Sequence, residues 1–176
     1  MKNKKLPLII KLLLIQSIFL ILHYLYDWFP NSLTTFFSGI NESVYQHMKI
    51  GFFTYILYGI FEFLITKKSI QTLSSHVYSR LFSTTYFPLV MMPIYLLGPL
   101  LFGHTENMLL EIIFANIALL GTSFSTLVLE GHIEKTKLEP VFRVVTIALF
   151  VISLAQFIVF TYRLPWFDIF AIPPGY

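Results

Sequence analysis

The chain has 176 residues, of which 56% are hydrophobic and 12% charged, about half the roughly 25% charged share usual in a water-soluble domain. This composition excludes an ordinary soluble domain. The lack of cysteine excludes disulfides, thiolate metal sites, a cysteine nucleophile and cysteine lipidation, so any metal would need His, Asp or Glu ligands. The net charge of +3 is spread along the ends of apolar segments and forms no nucleic-acid patch.

The N-terminus, Met1-Lys-Asn-Lys-Lys followed by apolar residues, resembles the start of a secretory signal. Instead of a small-residue cleavage site, the apolar stretch runs on into His23-Tyr-Leu-Tyr-Asp-Trp28, which reads as a retained first helix. Five apolar segments follow in chain order, at 6–26, 48–66, 81–101, 109–129 and 141–162. Each is near the length needed to cross about 30 Å of hydrocarbon as a helix. The expected architecture is all-α: a polytopic membrane helix bundle of about five transmembrane helices, forming one domain with membrane lipid as its solvent.

Alternating these segments places Lys2, Lys4, Lys5, Lys11, Lys67, Lys68, Arg80, Lys135, Lys137 and Arg143 on one side, and Lys49 and Arg163 on the other. Basic residues collect on the cytoplasmic side of short loops, so ten against two predicts an N-terminus inside and a C-terminus outside. Tyr24, Tyr26, Trp28, Tyr45, Tyr162 and Trp166 then fall at the outer interface, where amphipathic rings prefer to lie.

With this orientation, an outer polar set assembles from distant parts of the sequence: His23, Asp27, Asn41, Glu42, His47, His104, Glu106, Glu111, Arg163 and Asp168. His23 and Asp27 are four apart and share a helix face if the first helix reaches Trp28. Asn41 is a candidate N-cap for the second span, with Glu42 in its first turn. Ser43 and His47 are also four apart, which makes a Ser/His or Glu/His arrangement available. His104 and Glu106 share a loop and could turn toward one ion. The candidate metal ligands are therefore His23, Asp27, Glu42, His47 and His104, for a divalent ion such as zinc. Candidate catalytic residues are Glu42, His47, Ser43 and Arg163, the last placed to meet Glu42, Asp27 or a bound anion.

Elsewhere the readings are mainly structural. Pro88, Pro93, Gly98 and Pro99 are expected to kink the third span. Asn116 is expected to hydrogen-bond a neighbouring helix in mid-membrane, and Glu62 to pair with Lys67 and Lys68. The Pro-rich stretch after Arg163 should fold back along the outer surface.

The string Asn41-Glu-Ser-Val-Tyr-Gln-His-Met-Lys49, following His23-Tyr-Leu-Tyr-Asp-Trp28, resembles a bacterial family of small integral membrane proteins without an assigned activity. Its members carry an outer-loop motif close to N-E-S-V-W-E-H-x-K, preceded by H-x-x-Y-E/D-W. Here Tyr45 stands in place of the Trp and Gln46 in place of the second acid. Looser matches are Glu62 in the second span and Tyr95 to Gly98. The resemblance implies a multi-pass protein of the bacterial inner membrane. Asp27-Trp28 and the outer histidines are similar in kind to motifs of membrane hydrolases related to alkaline ceramidases. The paired late-helix histidines of those enzymes are missing, and their residue roles are not carried over.

Three functions are compatible with these features. One is a membrane-embedded enzyme with an outer His/acid site, such as a metal-assisted hydrolase or acyl transferase on a lipid-like substrate, which predicts that at least three of the side chains converge. The others are a small transporter or channel subunit, which predicts a continuous polar track, and a non-catalytic partner or assembly factor, which predicts scattered polar residues.

Overall fold

A computed structural model describes residues 6–103 and 107–172, apart from the side chains of Pro99 and Met108. Its helices are α1 (Leu8–Trp28), α2 (Ser32–Phe37), α3 (Val44–Thr66), α4 (Leu73–Phe102), α5 (Met108–Lys135) and α6 (Pro140–Tyr162), with 3₁₀ turns at Lys67–Ser69 and Asp168–Phe170. Five of these are long and apolar enough to cross a membrane, and no strand occurs among the described residues. The chain is thus an all-helical multi-pass membrane protein.

The distribution of side chains follows from lipid as solvent. Among the described residues, buried polar or charged residues number 20 and buried hydrophobic ones 19, while the exposed large side chains include long runs of Leu, Ile, Val and Phe. In water this arrangement would be inverted. In hydrocarbon, apolar groups gain little by leaving the solvent and polar groups must find partners inside the bundle.

The most enclosed spanning helix is α3, which packs on α1 and α4, while α4 packs in turn on α5 and α6. Rings fill the centre: Phe52 and Tyr45 of α3 meet Phe157 of α6 at 5.0 and 5.7 Å between centroids, and Tyr55 meets Phe87 of α4 at 5.3 Å. The expected fold-back after Arg163 is present, because Phe170 is buried and lies 4.5 Å from the Tyr45 ring.

Two local expectations are corrected. The N-cap of α3 is Ser43, whose hydroxyl accepts from the Gln46 N–H at 3.3 Å, whereas Asn41 takes the Ser43 N–H one turn earlier at 3.0 Å. Glu42 therefore precedes the helix rather than sitting in its first turn. Pro88, Pro93, Gly98 and Pro99 all lie within α4, which runs from Leu73 to Phe102. At Gly98 the close approach of α5 requires glycine, because a Cβ would lie 2.5 Å from the Phe114 ring. Finally, α4 begins before residue 81 and α5 extends past residue 129. His76, Arg80, Glu130 and Glu134 in these extensions have partners inside the bundle, so their polarity does not end the helices.

Candidate functional site

His23 stands on α1, Glu42 in the turn before α3, and His47 in the first turn of α3. The helix start at Ser43 leaves Glu42 free to swing toward α1, and the three residues meet. His23 Nε2 and His47 Nε2 are 3.2 Å apart, and Glu42 Oε2 lies 3.4 Å from His47 Nε2 and 3.6 Å from His23 Nε2. A tetrahedral ion with bonds of about 2.0–2.1 Å separates its ligand atoms by roughly 3.3–3.4 Å. The triangle brackets that value, and among the described residues no other group of His, Asp and Glu has three ligand atoms this close together.

Hydrogen bonding fixes one of the two imidazoles. His47 Nδ1 is 3.0 Å from the Ser43 carbonyl oxygen, so the Nδ1–H donates to it and the ring is held with Nε2 facing the triangle. Metal-binding histidines are commonly oriented in this way. The His47 ring stacks on Tyr95 of α4 at 5.9 Å and 16°. His23 lies 4.9 Å from the Tyr24 ring, and its buried Nδ1 has no partner among the described residues. Hydrogen bonding from His23, and then from His47, holds the Glu42 carboxyl well below its ordinary value of 4.5, so it is ionised at neutral pH. One carboxylate and two imidazoles form a donor set used in catalytic zinc sites, which keep a fourth position for water or substrate. A small apolar cleft adjoins His47, bounded by Phe19, Met48, Met91, Tyr95 and Leu119.

The other residues singled out in the sequence lie apart from this triangle. Asp27 shares the α1 face of His23 but is exposed and outside the group. Ser43 enters through its carbonyl, while its buried hydroxyl caps α3. Arg163 is exposed at the end of α6 and forms no ion pair with a described residue. His104 and Glu106 lie outside the described residues.

A second polar assembly, about 18 Å away along α1 from His23 to Lys11 at 1.5 Å per residue, was not foreseen. Arg80 of α4 donates to Glu62 from Nη2 at 2.8 Å and from Nε at 3.1 Å. Its Nη1 lies 2.7 Å from Glu134, and its Nη2 3.4 Å from Glu130. Lys11 also pairs with Glu62, and His76 meets Glu134 at 3.2 Å. Lys67 and Lys68, the expected partners of Glu62, are exposed, and Lys11 and Arg80 take their place. One signal was available in the sequence: His76/Arg80 and Glu130/Glu134 are i, i+4 pairs bordering apolar spans. Between the two assemblies, Gln16 Nε2 donates to Asn116 Oδ1 at 2.5 Å, the interhelical bond expected of Asn116.

Comparison with protein-family models, curated proteins and solved structures finds no match to this chain.

Proposed function

We propose that the protein is a membrane-embedded enzyme in which His23, Glu42 and His47 hold a divalent ion such as zinc, and that it hydrolyses or transfers an acyl group of a lipid-like substrate. The observation that carries this reading is the triangle of ligand atoms 3.2–3.6 Å apart. A bound ion would supply a polarised carbonyl and an activated water at neutral pH. The apolar residues beside His47, among them Phe19, Met91 and Leu119, would lie against the acyl chain of a substrate held next to His23, Glu42 and His47. In hydrolysis the water oxygen bonds to the acyl carbon, the bond to the leaving oxygen breaks, and the water proton goes to the departing alcohol.

The distribution of basic residues supports placing the Lys-rich end in the cytoplasm and the triangle at the outer face. The resemblance of 41–49 and 23–28 to a bacterial membrane family supports an inner-membrane location. The test is to supply zinc to the purified, reconstituted protein and present a panel of acyl esters and amides of glycerol, sphingoid and polyprenyl lipids. Turnover that disappears with a chelator and in His47→Ala is expected. Stoichiometric metal without turnover across the panel would reject the enzyme reading and leave a metal site of another purpose.

A further inference from the structure

The assembly around Arg80 contains three carboxylates, Glu62, Glu130 and Glu134, against two permanent cations, Lys11 and Arg80, and one histidine, His76. All six lie within spanning helices, where a net charge is costly. With every carboxylate ionised and His76 neutral, the assembly carries one negative charge too many, so neutrality requires one more proton. Glu62 is held by both Arg80 and Lys11, and Glu134 by Arg80 and His76. Glu130 has the weakest compensation: Arg80 Nη2 at 3.4 Å and the Tyr55 hydroxyl, which donates to Oε2 at 2.8 Å. It is also the most enclosed of the three, at 1% exposure. The titratable group of α6 at this end, Arg143, lies over the Tyr78 ring, on the face of α4 turned away from Arg80.

A second observation comes from the hydroxyls. Thr122 and Thr126 precede Glu130 at steps of four on α5, Thr54 and Tyr58 precede Glu62 in the same way on α3, and Ser83 follows Arg80 on α4. These five hydroxyls are buried in residues at 0% exposure, and those of Thr54, Ser83, Thr122 and Thr126 have no partner among the described residues. Helical register puts each of the three stripes on the side of its helix that carries the charged group. Buried hydroxyls lacking protein partners are ordinarily satisfied by ordered water. On the other side of the charges, a small cavity is lined by Lys11, Glu62, Ser69, His76 and Glu134 and lies at the Lys-rich end.

We infer that Glu130 is a proton-exchange site: its carboxyl carries the balancing proton and trades it with water at the Lys-rich end, through the cavity and the His76–Glu134 pair. In this exchange a Glu130 oxygen releases its proton to a neighbouring water, and that water passes a proton outward. The Thr54/Ser83/Thr122/Thr126 seam extends the same water toward the bilayer centre. Intramembrane carboxyls with such surroundings are the usual elements of proton relays.

Infrared difference spectroscopy of the full chain in liposomes, between about pH 5 and about pH 9, tests this directly. The expected result is one protonated-carboxyl C=O band that disappears at the higher pH, is lost in Glu130→Gln, and moves in Tyr55→Phe, which removes its hydrogen bond. Tyr55→Phe alone decides the matter if Glu130→Gln does not fold. A spectrum with no such band, a band present at both pH values, or one unmoved in Tyr55→Phe overturns the inference.

Discussion

The two polar assemblies use similar residue types in opposite ways. Around Arg80, every carboxylate already touches a cation, and the guanidinium spreads its donors over Glu62, Glu130 and Glu134. At the other end, His23, Glu42 and His47 point three ligand atoms at one another, and no described Lys or Arg pairs with Glu42. The first arrangement is largely complete within the protein and joins α1, α3, α4 and α5. The second gains most from something that arrives. Mutation should therefore affect stability at one end and ligand binding at the other.

The largest effect is expected from Arg80→Met, which leaves Glu62, Glu130 and Glu134, the first two of them buried, without their shared partner. Breaking a buried ion pair from one side costs about 3–5 kcal/mol, and a loss of that order should appear as a lower unfolding midpoint in detergent. A midpoint shift no larger than that of an exposed control such as Lys68→Met would erase the contrast. Gly98→Leu should come next, because even a Cβ at this position meets the Phe114 ring. Overpacking of this kind costs about 1–3 kcal/mol, and thermal unfolding measures it. At the triangle, His47→Ala should abolish metal retention with little change in the metal-free unfolding midpoint, whereas Asp27→Asn should leave retention at the wild-type level.

The pH dependence sharpens the same comparison. The Glu42 carboxyl is held below its ordinary value of 4.5, so in chelator-treated protein its contribution to stability is fully present above that pH. It is lost as pH falls through the lower value of the folded state. Glu42→Gln should therefore remove an acid-side loss of stability that the wild type retains, read from unfolding midpoints across the acid range. Because Glu42 is partly exposed, this is the smallest of the expected effects. Identical acid profiles for the two proteins would show that the imidazoles do not hold the carboxylate.

The spans were legible because nothing else explains apolar runs of this length. Their ends were not, and the reason is specific. Hydropathy placed the third span from 81 and the fourth to 129, which left Arg80 and Glu130 each one residue outside. The structure puts both inside helices, facing each other, because a charge paired within the bundle does not end a helix in lipid. At the other end the residue types were legible and the partner was not. Spacing favours His23 with Asp27, which do share a face of α1. Glu42 joins the histidines because Ser43 rather than Asn41 caps α3, and an N-cap choice between two suitable residues two positions apart is decided by packing. Lys49 shows the same limit: counted in the sequence as one of two basic residues on the outer side, it is fully buried, with its ammonium donating to the Thr35 carbonyl at 2.9 Å.

The most direct test of the central claim is the metal content of the full-length protein purified in detergent, before and after loading with zinc, for the wild type, His23→Ala, Glu42→Ala and His47→Ala. The geometry predicts close to one ion per chain in the wild type and its loss in each folded variant. Zinc-loaded wild type that retains no ion, or variants that retain as much as the wild type, would contradict the assignment of His23, Glu42 and His47 as a metal site.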